Sequence, residues 1–111
     1  MKVVDRRGIV GELVSRLFQS PLERNRAFYQ RYRELSRVID EAPDDLNALV
    51  LRGELNLERG EHERAQADFD AAVALADALD DDKGWHVIEQ VMRDRALYGL
   101  DVAREALRTA R

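Results

Sequence analysis

Two histidines, a run of three aspartates and a stripe of arginines are the places where this chain could do chemistry. His62 and His86 are its only histidines. Neither belongs to a His-x-x-x-His or His-Glu-x-x-His arrangement, in which two imidazoles one helical turn apart share a metal ion. Glu58 lies near His62 and Glu89 near His86, as random placement in an acidic chain would supply. A general base or a metal ligand needs a positioned second group, so both histidines are read as structural or solvated. Asp80-Asp81-Asp82-Lys83-Gly84 invites a calcium reading. An EF-hand loop, however, needs acidic residues at positions one, three and five, glycine at six and glutamate at twelve. Placing Gly84 at six puts Leu79 at one and Gln90 at twelve, so the run reads as a charged turn. With no cysteine there is no thiolate nucleophile, disulfide or Cys-ligated metal. No catalytic constellation, metal site or cofactor motif emerges, and the expectation is a protein that is not an enzyme.

The arginines pose a different question. On a helix, Arg26, Gln30, Arg33 and Arg37 share one face, and Phe28, Tyr32, Leu35 and Ile39 share the opposite one. The apolar face belongs to a core. The basic face suits water first, the acidic surface of a protein second, and phosphates of nucleic acid or an anionic surface third. The overall acidity of the chain disfavours nucleic acid, and the aromatic residues lie on the wrong face to stack bases. Ile9, Val10, Leu13, Val14, Leu17 and Phe18 make a similar stripe, with Lys2, Arg6, Arg7 and Arg16 nearby. Such a helix can lie on a membrane, but core packing is the reading preferred here.

Helices must position all of these groups. The first runs from about Val4 to Phe18. Ser20-Pro21-Leu22-Glu23 then marks a second start, with Ser20 as N-cap, Pro21 in the first turn and Glu23 three residues after the cap. That helix should end near Glu41, before Ala42-Pro43, because the residue preceding proline is pushed out of the helical region. Asp44 or Asp45 can cap a third helix over Leu46 to Glu58. Gly60 stops it, and a fourth follows to about Ala78. Trp85 to Arg108 is a long helical pattern. Gly99 shares a line with Ala96, Ala103, Ala106 and Ala110, as a close-packed helix seam would need, but its cost in a helix interior favours a short break or bend there.

Composition agrees. The chain of 111 residues is 45% hydrophobic and 36% charged with only 2 prolines, which predicts one all-α domain. Within it, 1–43 forms an N-terminal helix pair, 44–79 a central unit and 80–111 a C-terminal cap. No apolar run approaches the roughly 20 residues that span a bilayer, and the N-terminus lacks a signal-peptide pattern, so a cytoplasmic protein is expected. Charge is unevenly shared. Nine Lys/Arg face four Asp/Glu up to Arg37, and nine face eighteen beyond it. This polarity could steer a charged partner or stack copies of the chain end to end.

The segment Leu46 to Asp77 resembles a tetratricopeptide repeat. Leu49 stands at that family's first large apolar position, Gly53 at the small residue of helix A and Gly60 at the turn between helices. Ala65, Phe69 and Ala72 then match the small, aromatic and small positions of helix B. Arg52 departs from the usual aliphatic residue, Asn56 from a common aromatic and Asp77 from proline. The flanks are degenerate: Ala103, Leu107 and Ala110 repeat the spacing of Ala65, Phe69 and Ala72, but no matching helix A glycine precedes them.

The resemblance implies a short right-handed α-solenoid of about five helices, working as an adaptor or scaffold subunit. It also implies a groove lined by helix A, at Asn47, Val50, Leu51, Glu54, Leu57 and Glu58. These residues are apolar and acidic, so a partner segment with apolar and basic residues fits better than an acidic tail. The alternative for Val50, Leu51 and Leu57 is packing against the chain's own first two helices. A binder of nucleic acid or an anionic surface through Arg26, Arg33 and Arg37 is the competing function.

Overall fold

The computed structural model describes residues 20–79 and 87–110. They form four helices: α1 (Pro21–Glu41), α2 (Leu46–Glu58), α3 (His62–Leu79) and α4 (Val87–Thr109). The described chain is all-α. The helix expected over Val4 to Phe18, the turn at Asp80 to Gly84, and His86 lie outside the described residues. Among the described residues, no helix is long and apolar enough to cross a membrane.

The chain divides into two compact units, Met1–Gln30 and Arg31–Arg111, and the division falls within α1. In the first unit, the Glu23 amide donates to Ser20 Oγ at 3.1 Å and the Arg24 amide to the Ser20 carbonyl at 3.0 Å. Ser20 is therefore the N-cap, satisfying donors that no earlier turn can reach. Phe28 meets Tyr29 edge to face, with ring centroids 5.2 Å apart.

In the second unit, α1 ends as Ala42 donates to the Val38 carbonyl at 2.8 Å, just ahead of Pro43. Of the two aspartates that could cap α2, Asp45 does so, its Oδ1 accepting from the Ala48 amide at 3.0 Å. At the other end of α2, Gly60 adopts φ +75°. Its amide reaches Leu57 O at 3.1 Å and the Glu61 amide reaches Asn56 O at 2.9 Å. This Schellman pattern satisfies the last carbonyls and turns the chain into α3, whose Ala65 amide donates to Glu61 O at 2.9 Å.

α3 packs against both α2 and α4, which also touch each other. Asp70 pairs with Arg104 and Asp77 with Arg93, so α3 and α4 run antiparallel. The core joins Leu46, Leu49 and Val50 of α2 to Phe69 and three alanines of α3, and to Met92, Ala96, Leu100 and Ala103 of α4. Phe69 is its largest fully buried side chain. Leu49, Gly53, Ala65, Phe69 and Ala72, singled out by their spacing, are all buried.

Gly99 does not break α4, which is continuous from Val87 to Thr109. A glycine inside a helix costs about 1 kcal/mol relative to alanine, but here the missing side chain makes room for Phe69. A Cβ built on Gly99 would overlap Cζ of that ring and lie 2.9 Å from Cε1. On the other side, a Cβ at Gly53 would lie 2.7 Å from Cε1. One aromatic ring thus separates two glycines from two helices. Past Ala103 the small-residue seam fades: Ala106 and Leu107 are half-buried and Ala110 is exposed.

No residue of α1 is fully buried. Its apolar residues Tyr32, Leu35 and Ile39 are half-buried, and Ile39 packs on the edge of the core. The face expected to enter the core is thus only partly covered, which leaves a space beside α2.

Candidate functional site

Across the short turn at 42–45, the part of α1 from Arg31 onward forms a groove with α2. It encloses about 330 Å³. Leu35 and Val38 of α1 and Leu51 and Leu55 of α2 supply apolar walls, while Glu34, Glu54, Glu58 and Arg31 supply charge. The fourfold spacing from Leu51 to Leu55 and the threefold spacing from Leu35 to Val38 keep each pair on one helical face. The chemistry is that of a contact surface: apolar area to bury, with three carboxylates and one guanidinium to orient what lies against it.

Of the residues expected to line a groove, Leu51, Glu54 and Glu58 do. Asn47 is exposed at the start of α2, outside this groove. Leu57 is half-buried against the core. Val50 has no exposed surface at all and serves packing. Glu54 carries a second task, because Arg95 of α4 grips both its carboxylate oxygens, Nε reaching Oε2 at 3.1 Å and Nη2 reaching Oε1. Leu51 does face α1, as the alternative had it, but Arg31, Glu34, Leu35 and Val38 were not among the residues expected to line the groove.

The competing basic residues are exposed. Arg26 stands in the first unit, Arg33 and Arg37 in the second, and Arg37 approaches Glu41 at 3.5 Å, one turn along the helix. His62 is half-buried, with its Nδ1 enclosed and unbonded. Among the described residues, no three His, Asp or Glu side chains converge as a metal site would require.

The two departures noted in α2 form the most connected polar cluster. Arg52 donates to Asp68 of α3 from Nε at 3.0 Å and from Nη2 at 2.7 Å, and Asn56 Nδ2 donates to the same carboxylate at 3.1 Å. The remaining arm of Arg52 donates from Nη1 to Ser36 Oγ of α1 at 3.1 Å, and its guanidinium lies 5.8 Å from the Tyr32 ring centroid. Asp68 and Asn56 are buried. Hydrogen bonding to Asp68 raises the Arg52 pKa above its ordinary value, against the desolvation that opposes charge. This cluster ties three helices together behind the groove. The sequence signal was the placement of an arginine and an asparagine one turn apart where apolar residues were expected; of the three aspartates on the next helix, Asp68 is the one that meets them.

No family model matches the chain, and no curated protein or solved structure matches it.

Proposed function

We propose that the chain is a non-enzymatic, cytoplasmic adaptor or small scaffold subunit, built as a short right-handed tetratricopeptide-like solenoid of about five helices. The placement of Gly53 and Gly99 on either side of Phe69 supports the repeat-like reading, because α2 and α4 meet α3 through the same kind of residue. The observation that carries the function is the groove, whose apolar walls and acidic rim suit a partner segment that is apolar and basic. Burial of the partner's apolar side chains supplies affinity. Glu34 and Glu58 set its orientation and favour its approach.

A photo-crosslinking residue placed at Leu51 tests this. Leu51 is 41% exposed, so the probe can be carried without disturbing the core. Crosslinked peptides should be apolar with lysine or arginine, and Glu58→Lys should deplete them. Acidic crosslinked peptides, or a yield indifferent to Glu58→Lys, would overturn the proposal.

A further inference from the structure

α4 carries two apolar stripes, and only one is covered. Met92, Ala96, Leu100 and Ala103 enter the core, whereas Ile88 is 67% exposed, Val91 52%, Tyr98 73% and Val102 37%. The exposed four follow a spacing of three, seven and four residues, with Arg95 filling the gap between Val91 and Tyr98. That is the three-four alternation of a helix-packing seam, sustained for about 21 Å at 1.5 Å per residue.

The packing of α2 on α3 shows what such a seam accepts. On α2, the residues one before and three after the glycine that faces Phe69 are Arg52 and Asn56, and both are covered by Asp68 of α3. On α4, the residues one before and three after the glycine that faces Phe69 are Tyr98 and Val102. Helical geometry gives these the same angular position about their own axis as Arg52 and Asn56. The side of α2 that α3 covers thus has its counterpart on α4 lying open, in continuity with the packing of the three helices.

Charge defines what would fit. Arg95, the one cation within the seam, is already held by Glu54. Asp94, Asp101 and Glu105 follow the outer edge, all exposed; Glu105 pairs with Arg108 one turn on, which leaves Asp94 and Asp101 to set the charge beside Tyr98. A second copy in an antiparallel α4 to α4 pairing would set this acidic edge against itself, which is unfavourable. We propose that the outer face of α4 docks a helix of another protein, an amphipathic one whose apolar ridge is edged by lysine or arginine. Tyr98 is its central anchor, being large, aromatic and exposed. The site shares no residue with the groove between α1 and α2, although the Arg95 to Glu54 pair links the two.

The test uses the full chain and a labelled synthetic helical peptide of about 21 residues, with leucine at the seam positions and lysine along the flanks, followed by fluorescence anisotropy. A control peptide carries glutamate in place of lysine. The lysine peptide should bind at least about tenfold more tightly than the control, a difference of about 1.4 kcal/mol. Tyr98→Glu and Val102→Glu should each weaken it by a similar factor, and Asp94→Lys with Asp101→Lys should remove the preference. Circular dichroism checks that each variant is folded. Leu51→Asp, in the groove, should leave the affinity unchanged. No binding, equal affinity for both peptides, or sensitivity to Leu51→Asp in place of Tyr98→Glu would overturn the proposal. So would self-association, seen by light scattering and dispersed by Tyr98→Glu, which would give the face to a second copy.

Discussion

The ring of Phe69 occupies the space that a side chain at Gly99 would need. This relationship sets the distance between α3 and α4 and makes a residue of poor helix propensity the right one at its position. Gly99→Ala should therefore destabilise the protein although alanine is the better helix former. Overpacking costs about 1–3 kcal/mol and improved propensity returns about 1 kcal/mol. A small net loss would lower the melting temperature by several degrees, since 1 kcal/mol corresponds to about 4–8 °C in a unit of this size. Phe69→Leu in the Gly99→Ala background should cost less than it does alone. A variant melting above the parent would show that α4 can shift without loss.

Helix positions were legible in the sequence because their ends carry explicit signals: Ser20 ahead of Pro21, Asp45 ahead of Leu46, Gly60 at a turn. The repeat spacing also marked the buried small residues of α2 and α3. Gly99 was misjudged because propensity is local, while the ring that fills its gap comes from thirty positions earlier in the chain. The partners of Arg52 and Glu54 were hidden for the same reason. Each looks like a surface charge until the helix bearing its counter-ion is placed. Val50 shows the converse, since its register position suits a groove but it is wholly buried in the core that α2 shares with α3 and α4.

Arg52 and Asp68 give the second prediction. The pair is largely desolvated, with side-chain exposures of 20% and 7%. Removing one partner from such a pair costs about 3–5 kcal/mol, whereas replacing both with apolar residues of similar size is often near neutral. Asp68→Asn should thus be much more damaging in urea denaturation than Arg52→Met with Asp68→Leu and Asn56→Leu, the third change removing the buried amide that Asp68 otherwise satisfies. Raising pH offers no equivalent lever in the neutral range. A folded-state pKa raised above the ordinary arginine value keeps its contribution below that value and loses it only at still higher pH.

Gly60→Ala is the third. Nothing lies within 4 Å of a Cβ built there, so no clash is involved, but φ of +75° is strained for any residue with a side chain. The expected cost is about 1–2 kcal/mol, read as a lower urea midpoint with an unchanged slope. Gly60→Asn should cost less than alanine, because asparagine tolerates the left-handed region better. Equal losses for the two would mean that backbone conformation is not the cause.

Glu54 and Glu58 separate structure from recognition. Both line the groove, but Glu54 also holds Arg95 across to α4, while Glu58 is exposed at the end of α2. The Glu54 to Arg95 pair is partly exposed, with side-chain values of 36% and 45%, so its loss should cost about 0.2–1 kcal/mol. Glu54→Lys should therefore lower the melting temperature modestly, and Arg95→Glu in the same chain should restore part of the loss by re-forming the pair in reverse. Glu58→Lys should leave thermal stability unchanged while reversing charge at the groove mouth. If Glu58→Lys proved as destabilising as Glu54→Lys, the carboxylate at 58 would be part of the fold, and the groove would need another residue as its probe.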